Sequence, residues 1–237
     1  MKLQSALPVA LASAAMLASA KVLNDGSKLA YGRAFNNQVQ WQMSGVLETP
    51  CTGALANLGM SDCYQMSLSA DGSKNLDTKH LDSPRQRNEF RADTQAAGET
   101  RTYTWKEYVS SDAGTSSNFF HLMQIFDAEK GAPVVTLTAR KGQVALESSS
   151  LCNGDCPSAA WSAYAGRTTL HIMRITFGPS GSMDYNVEDA ETGEGILSHS
   201  LSGALGGSTT YLKFGTYRKV YDGMTAVTAA AGDFTQS

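Results

Sequence analysis

Apolar and polar positions alternate with a period of two along much of the chain, the pattern of strands that bury one face. It is clearest over residues 100–109, where Arg101, Tyr103, Trp105 and Glu107 must share one face and Thr102, Thr104 and Lys106 the other. β-Branched and aromatic residues fill the same segment. Comparable runs predict strands over 39–44, 64–69, 85–91, 118–127, 211–218 and 224–234. Residues 133–140 and 143–147 read as a hairpin across Lys141-Gly142, and 167–177 and 183–188 as another across Gly178-Pro179-Ser180-Gly181. Residues 70–84, with Asp71-Gly72-Ser73 as a turn, read as a surface loop. No long stretch carries a 3.6-residue period, and the one candidate helix, 159–164, is short. Many short strands separated by Gly/Ser turns, without repeat or linker, predict an all-β single domain, a two-sheet antiparallel sandwich or jelly roll.

The N-terminus stands apart. Lys2 gives a positive start, residues 6–18 form an apolar run, and Ala18-Ser19-Ala20 is a small-residue cleavage site, which together make a secretory signal peptide. The run is too short to span a bilayer. The expectation is a leader over 1–20 and one mature domain over 21–237, secreted to the extracellular space, monomeric and without a membrane anchor. A net charge of −3 leaves no basic field over the whole chain, which argues against nucleic acid or a membrane as partner. Any recognition of anions must be local. Four cysteines in an oxidising compartment imply two disulfides. Of the three connectivities, Cys51–Cys63 and Cys152–Cys156 are expected, because each brackets a loop of turn residues.

Local recognition has a candidate in residues 85–91. On an extended strand Arg85, Arg87, Glu89 and Arg91 project together, while Gln86, Asn88 and Phe90 point the other way. Guanidinium forks suit carboxylates, since each can donate two parallel charge-assisted hydrogen bonds. An exposed strand with self-compensating charge accounts for the row equally well. By the same parity Tyr211, Lys213, Gly215 and Tyr217 share one face. The missing side chain at Gly215 would leave room for something to approach the sheet, and a cation beside Tyr217 would favour its phenolate. Between these strands, Gln124 lies in an apolar run and needs either partners or a groove.

Arg-x-Glu-x-Arg, then Gln124-Ile125, then Tyr-x-Lys-x-Gly-x-Tyr, in that order, resembles the β-jelly-roll polysaccharide lyases, the alginate and glucuronan lyases. The resemblance spans residues 83–217 but rests on few positions. It implies a concave sheet that holds a polyuronate, an acidic polysaccharide, with no cofactor required. Arg87 and Arg91 would bind substrate and Glu89 would hold them. Gln124 would neutralise the uronate carboxylate, Lys213 would line the groove with Tyr211 and Arg85, and Tyr217 would be catalytic. The reaction would be β-elimination: a base takes the proton on C5, an acid protonates the leaving O4, and a 4,5-unsaturated sugar end results. Charge neutralisation matters because a free carboxylate makes C5–H a very poor acid.

One position departs from the family pattern. That pattern places a basic histidine two residues beyond the glutamine, and here the position is Phe126. His121 lies three residues before Gln124, which sets it on the opposite face unless a bulge intervenes. His80, on the loop entering the charged strand, is therefore the preferred base, with Tyr217 serving as both base and acid as the alternative. A dual-role tyrosine needs H5 and O4 on the same side of the ring, which favours glucuronate or mannuronate over guluronate. Asp25 and Asp233 are candidate ligands for a structural calcium ion, although turn and edge acids explain both equally well. Glu89, flanked by arginines, is unsuited as a general acid, and a Glu107–Glu188 hydrolase pair has no support from spacing. His171 and Arg174 differ in parity, so at most one faces the groove. The rival to an enzyme is a non-catalytic, lectin-like carbohydrate-binding protein using the same arginines and aromatics.

Overall fold

In the computed structural model of the chain, which describes residues 19–152 and 156–237, the alternating segments form two eight-stranded antiparallel sheets. The expected leader lies outside the described residues apart from Ser19 and Ala20. In chain-order numbering, the outer sheet begins with β1 (Lys21–Asp25), β4 (Val46–Thr49), β5 (Cys63–Leu68) and β16 (Val227–Gln236). It continues through β7 (Thr100–Val109), β12 (Thr168–Thr176), β13 (Gly178–Asp189) and β14 (Gly195–Leu205). The second sheet runs β11 (Ser158–Ala160), β10 (Gln143–Glu147), β9 (Ala132–Arg140) and β8 (Phe120–Asp127). It then continues through β15 (Thr210–Lys219), β6 (Arg85–Arg91), β3 (Val39–Met43) and β2 (Ala30–Ala34). This is a β-jelly-roll sandwich. Among the described residues no helix is long and apolar enough to cross a membrane.

The expected strands over 85–91, 100–109 and 143–147 form with those bounds. Others differ for physical reasons. The expected hairpin across Gly178-Pro179-Ser180-Gly181 forms, with Thr176 opposite Ser182, but the turn residues also make the irregular start of β13, where its pairing to β14 shifts. β14 itself carries no aromatic or valine; its buried Leu197, Leu201 and Leu205 are spaced by serines, glycines and a histidine, weak strand formers that conceal the alternation. Also unanticipated are the short strands β1, β2 and β11 at sheet edges and β4 beside β1. The expected helix contracts to a single turn, α1 (Trp161–Tyr164). Both disulfides pair as anticipated, with Cα–Cα separations of 5.3 Å for Cys51–Cys63 and 5.0 Å for Cys152–Cys156. Trp41 and Trp105 are core residues.

The core sets which face of β6 and β15 meets solvent. Phe90 and Phe214 pack ring on ring with centroids 5.3 Å apart, and Phe214 meets Phe234 of the outer sheet at 5.3 Å. Because side chains alternate, burying Phe90 and Phe214 commits the charged and tyrosine rows to the opposite face; a one-residue slip would bury the charges instead. Asn88 locks this register from inside. Its Oδ1 accepts from Gly45 N at 3.0 Å and its Nδ2 donates to the Ser67 carbonyl at 3.0 Å, a stitch from β6 to the other sheet. Gln86, also facing inward, holds Arg218 of the adjacent β15 in the same sheet, accepting from its Nε and Nη2 at 3.0 and 2.7 Å.

Gly215 serves a different end from the one its spacing suggested. Its φ is +119°, and a Cβ there would stand 2.4 Å from the Asn88 carbonyl oxygen. The glycine therefore admits the neighbouring backbone of β6, not a substrate. Gly215→Ala is expected to destabilise the protein by about 2 kcal/mol or more, lowering the melting temperature by about 5 °C. Gly195→Ala, where an added Cβ meets nothing within 4 Å, is the control and should melt close to wild type.

Candidate active site

Antiparallel pairing gathers the candidate side chains. β15 lies between β6 and β8, and its register sets Lys213 beside Arg91, Gly215 beside Glu89 and Tyr217 beside Arg87. On its other edge Lys213 pairs with Gln124 and Tyr217 with His121. Arg85, Arg87, Glu89, Arg91, Tyr211, Lys213, Tyr217 and Gln124 thus rise from one face, as their spacing anticipates.

Glu89 is the hub. Its Oε2 accepts from Arg87 Nη1 and, at 3.1 Å, from Lys213 Nζ, while its Oε1 accepts from Gln124 Nε2. All four side chains are buried. Burial alone would raise the Glu89 carboxyl, but Lys213 and Arg87 outweigh it and hold the group below the usual carboxylate range. Arg87 is gripped on its other edge by Asp77, whose Oδ2 accepts from Nε at 2.9 Å and lies 2.8 Å from Nη2. With Glu89, Tyr217 and Asp77 around it, Arg87 stays charged despite burial. Its three nitrogens are therefore held by protein, and Arg87 acts through its charge, not as a free fork for substrate. Glu89 does not hold Arg91 either: Arg91 Nη2 donates to Thr94 at 3.2 Å and its guanidinium covers the Tyr211 ring at 3.9 Å. Asp77 went unseen in the sequence, where it sits in an ordinary polar loop. The one hint was arithmetic, since three arginines against one carboxylate call for a second acid.

Tyr217 lies with the Arg87 guanidinium 3.9 Å from its ring centre, and its hydroxyl accepts from Arg85 Nη1 at 2.8 Å. Burial outweighs both cations and raises its pKa. At neutral pH Tyr217 is a phenol, poised to give a proton, and the expected phenolate is not the resting form. Beside it stands His121, with ring centroids 6.1 Å apart and Phe119 stacked on the imidazole at 4.7 Å. Parity had placed His121 on the far face. Instead the pairing of β8 with β9 shifts between His121 and Met123, so Leu122 and Met123 both turn into the core and His121 emerges on the site face. Its Nδ1 lies 2.8 Å from Thr138 Oγ1; with Nδ1 donating there, Nε2 carries the lone pair. Burial, with Arg140, Lys213 and Arg85 acting against Glu89, brings the His121 pKa down to about 4. The imidazole is neutral and able to accept a proton.

These groups line a pocket of about 200 Å³ whose wall also includes His80, Phe126 and Pro133. The cations Arg85, Arg87 and Lys213 line it against the carboxylates Glu89 and Asp77, a surplus of positive charge that suits an anion; burial pushes the Lys213 pKa down and Glu89 opposes that shift. His80 reaches the rim, 3.9 Å from Asp77 and partly exposed; burial and Arg85 push its pKa down. One larger cleft elsewhere lacks this character. It is lined by Lys106 and Arg167, on the outer sheet, and both cations are already paired, with Asp233 at 3.0 Å and Asp189 at 3.1 Å.

The remaining candidates fall outside the pocket. Glu107 and His171 are buried between the sheets 3.9 Å apart, Arg174 is exposed on the outer sheet, and Glu188 points outward from β13 while Glu107 points inward. No hydrolase pair forms. Asp25 and Asp233 cannot share one ion. Asp25 aligns through Val46 and Ser67 with Thr228, five residues along β16 from Asp233, or about 17 Å. Each has local partners: Asp25 accepts from Ser27 N at 2.9 Å, and Asp233 from the Ser61 and Asp62 amides at 2.8 and 3.0 Å.

No family model matches the sequence, and no curated protein is similar to it by sequence. Solved structures share its fold. A family 7 alginate lyase, A1-II′, in complex with substrate, is similar with a TM-score of 0.52 at 15% identity, over 79% of this chain and 82% of that one. The endo-β-1,4-glucuronan lyase of the fungus Trichoderma reesei is similar with a TM-score of 0.52 at 10% identity, over 74% of this chain and 80% of that one.

The Glu89 hub gives a prediction for stability. A carboxyl held below its unfolded pKa stabilises the fold fully above the ordinary carboxylate range and loses that contribution as pH falls through the folded value. Glu89→Gln leaves Arg87 and Lys213 short of a counter-charge and is expected to cost about 3–5 kcal/mol near neutral pH. Its deficit against wild type should shrink on acidification, as denaturant melts at several pH values would reveal.

Proposed function

We propose that the protein is a secreted polysaccharide lyase that cleaves a β-1,4-linked polyuronate, glucuronan or mannuronate-rich alginate, by β-elimination. The observation that carries this reading is the pairing of a neutral imidazole, His121, with a neutral phenol, Tyr217, beside a buried cluster with surplus positive charge. A glycoside hydrolase would need two opposed carboxylates, and the two in this site are both consumed as counter-ions.

In this reading the uronate carboxylate lies against the Gln124 amide with Lys213 and Arg85 nearby, and their field makes C5–H acidic enough to lose. His121 Nε2 removes that proton. The C5–H electron pair forms the C4–C5 double bond, the C4–O4 bond breaks, and the Tyr217 hydroxyl passes its proton to O4. The hydrogen bond from Arg85 steadies the phenolate left behind, and solvent returns the proton. His121 thus takes the place of His80 and of a dual-role Tyr217 as base. Acid, base and charge neutralisation all come from side chains, so the reading requires no cofactor, and chelators should leave turnover unchanged.

Stereochemistry supports the choice of polymer. His121 and Tyr217 rise from one face of one sheet on adjacent strands, so they approach a sugar ring lying flat on that face from the same side. This suits substrates whose H5 and O4 leave together from one side, as in glucuronate and mannuronate. Incubation with defined polymers is expected to generate the ultraviolet absorbance of a conjugated unsaturated uronate from glucuronan or polymannuronate and little from polyguluronate. Tyr217→Phe and His121→Ala should each lower kcat by about 10²–10⁴-fold while binding persists; His80→Ala should change it far less. A preference for polyguluronate would contradict the geometry, and binding without any unsaturated product would favour the lectin-like alternative.

A further inference from the structure

The site face does not stop at β6. Across β3 and β2 the register aligns Glu89 with Gln42 and Gln42 with Tyr31, so Tyr31 shares the face of the catalytic cluster. It is an aromatic ring left 56% exposed on an edge strand, and Gln42 Nε2 donates to its hydroxyl at 3.4 Å. Above it hangs Lys79, whose Nζ is 5.2 Å from the ring centre and which pairs with no carboxylate among the described residues. From β15 to β2 is three strand spacings, about 14 Å, the span of a short oligosaccharide.

We infer that Tyr31 and Lys79 form a distal subsite for a further uronate unit of the polymer held at Tyr217. The cation–π contact holds the ammonium near the ring, so a sugar there meets an apolar surface for its ring and an unpaired cation for its carboxylate. Two features link the subsite to the reaction pocket. Lys79 and His80 are neighbours on one loop, and Asp77 anchors that loop, its backbone N–H donating to the Arg85 carbonyl at 2.8 Å and its carboxylate gripping Arg87. One anchored segment thereby places a cation at the distal ring and an imidazole at the pocket rim. Chain length, not turnover of the bond itself, is what this subsite senses.

The inference rests on the lyase reading, and two readouts keep them separable. Tyr31→Ala and Lys79→Gln would be compared with wild type for binding and for cleavage, using a long polyuronate and short oligouronides that fill only the pocket. The expected result is a loss of about five- to tenfold in affinity and a matching rise in KM for the long polymer, with kcat and all constants for short oligouronides unchanged. Cleavage by wild type with long-polymer constants unaltered in both variants overturns the subsite and leaves the lyase intact. Equal losses on long and short substrates also overturn it, because they mean that the loop has moved at the pocket. Length-dependent binding that needs Tyr31, with no unsaturated product from wild type, upholds the subsite and overturns the lyase.

Discussion

The buried Glu89 carboxylate is the constraint on which the site depends. It neutralises Arg87 and Lys213 and orients Gln124 from one position between β6, β15 and β8. Without it two cations would lie buried against each other, a far costlier arrangement than any exposed pair. Asp77 completes the balance from the loop side and, in doing so, fixes that loop to the sheet. The net result is a set of cations that cannot collapse onto mobile acids and whose field persists at the pocket. Such preorganised charge needs no rearrangement as negative charge develops during a reaction.

Irregular pairing supplies what regular sheet geometry cannot. A perfect strand would send His121 into the core and leave Tyr217 without a basic neighbour. The bulge between His121 and Met123 spends two consecutive side chains on the core and turns the imidazole outward. β15 carries its own irregularity between Phe214 and Tyr217, where Gly215 lets the chain press against the Asn88 carbonyl. Bulges concentrate beside functional sites for this reason: they re-aim a side chain without breaking the sheet. The same burial that accommodates His121 and Tyr217 keeps both uncharged, an imidazole able to accept a proton beside a phenol able to give one.

Much of this was legible in the residues. The charged face of 85–91 follows from the single core residue Phe90 on the other face, and the many short strands separated by Gly/Ser turns indicated the jelly roll. The two local disulfides followed from spacing. What could not be read depends on partners distant in the chain. The bulge at His121 is defined by the register of β9, and Asp77 becomes an ion-pair partner only when its loop folds onto β6. Gly215 looked like space for a ligand because nothing in its own strand reveals the approach of another backbone. β14 was hidden by its serines and glycines, since strand character there comes from being sandwiched and not from local preference.

The proposed reaction requires His121 as a neutral base on the site face, and NMR titration of its imidazole tests this directly. A pKa near 4 with the proton on Nδ1 at neutral pH is the predicted result. An imidazole that titrates in the ordinary range, or that carries its neutral-state proton on Nε2, would contradict it.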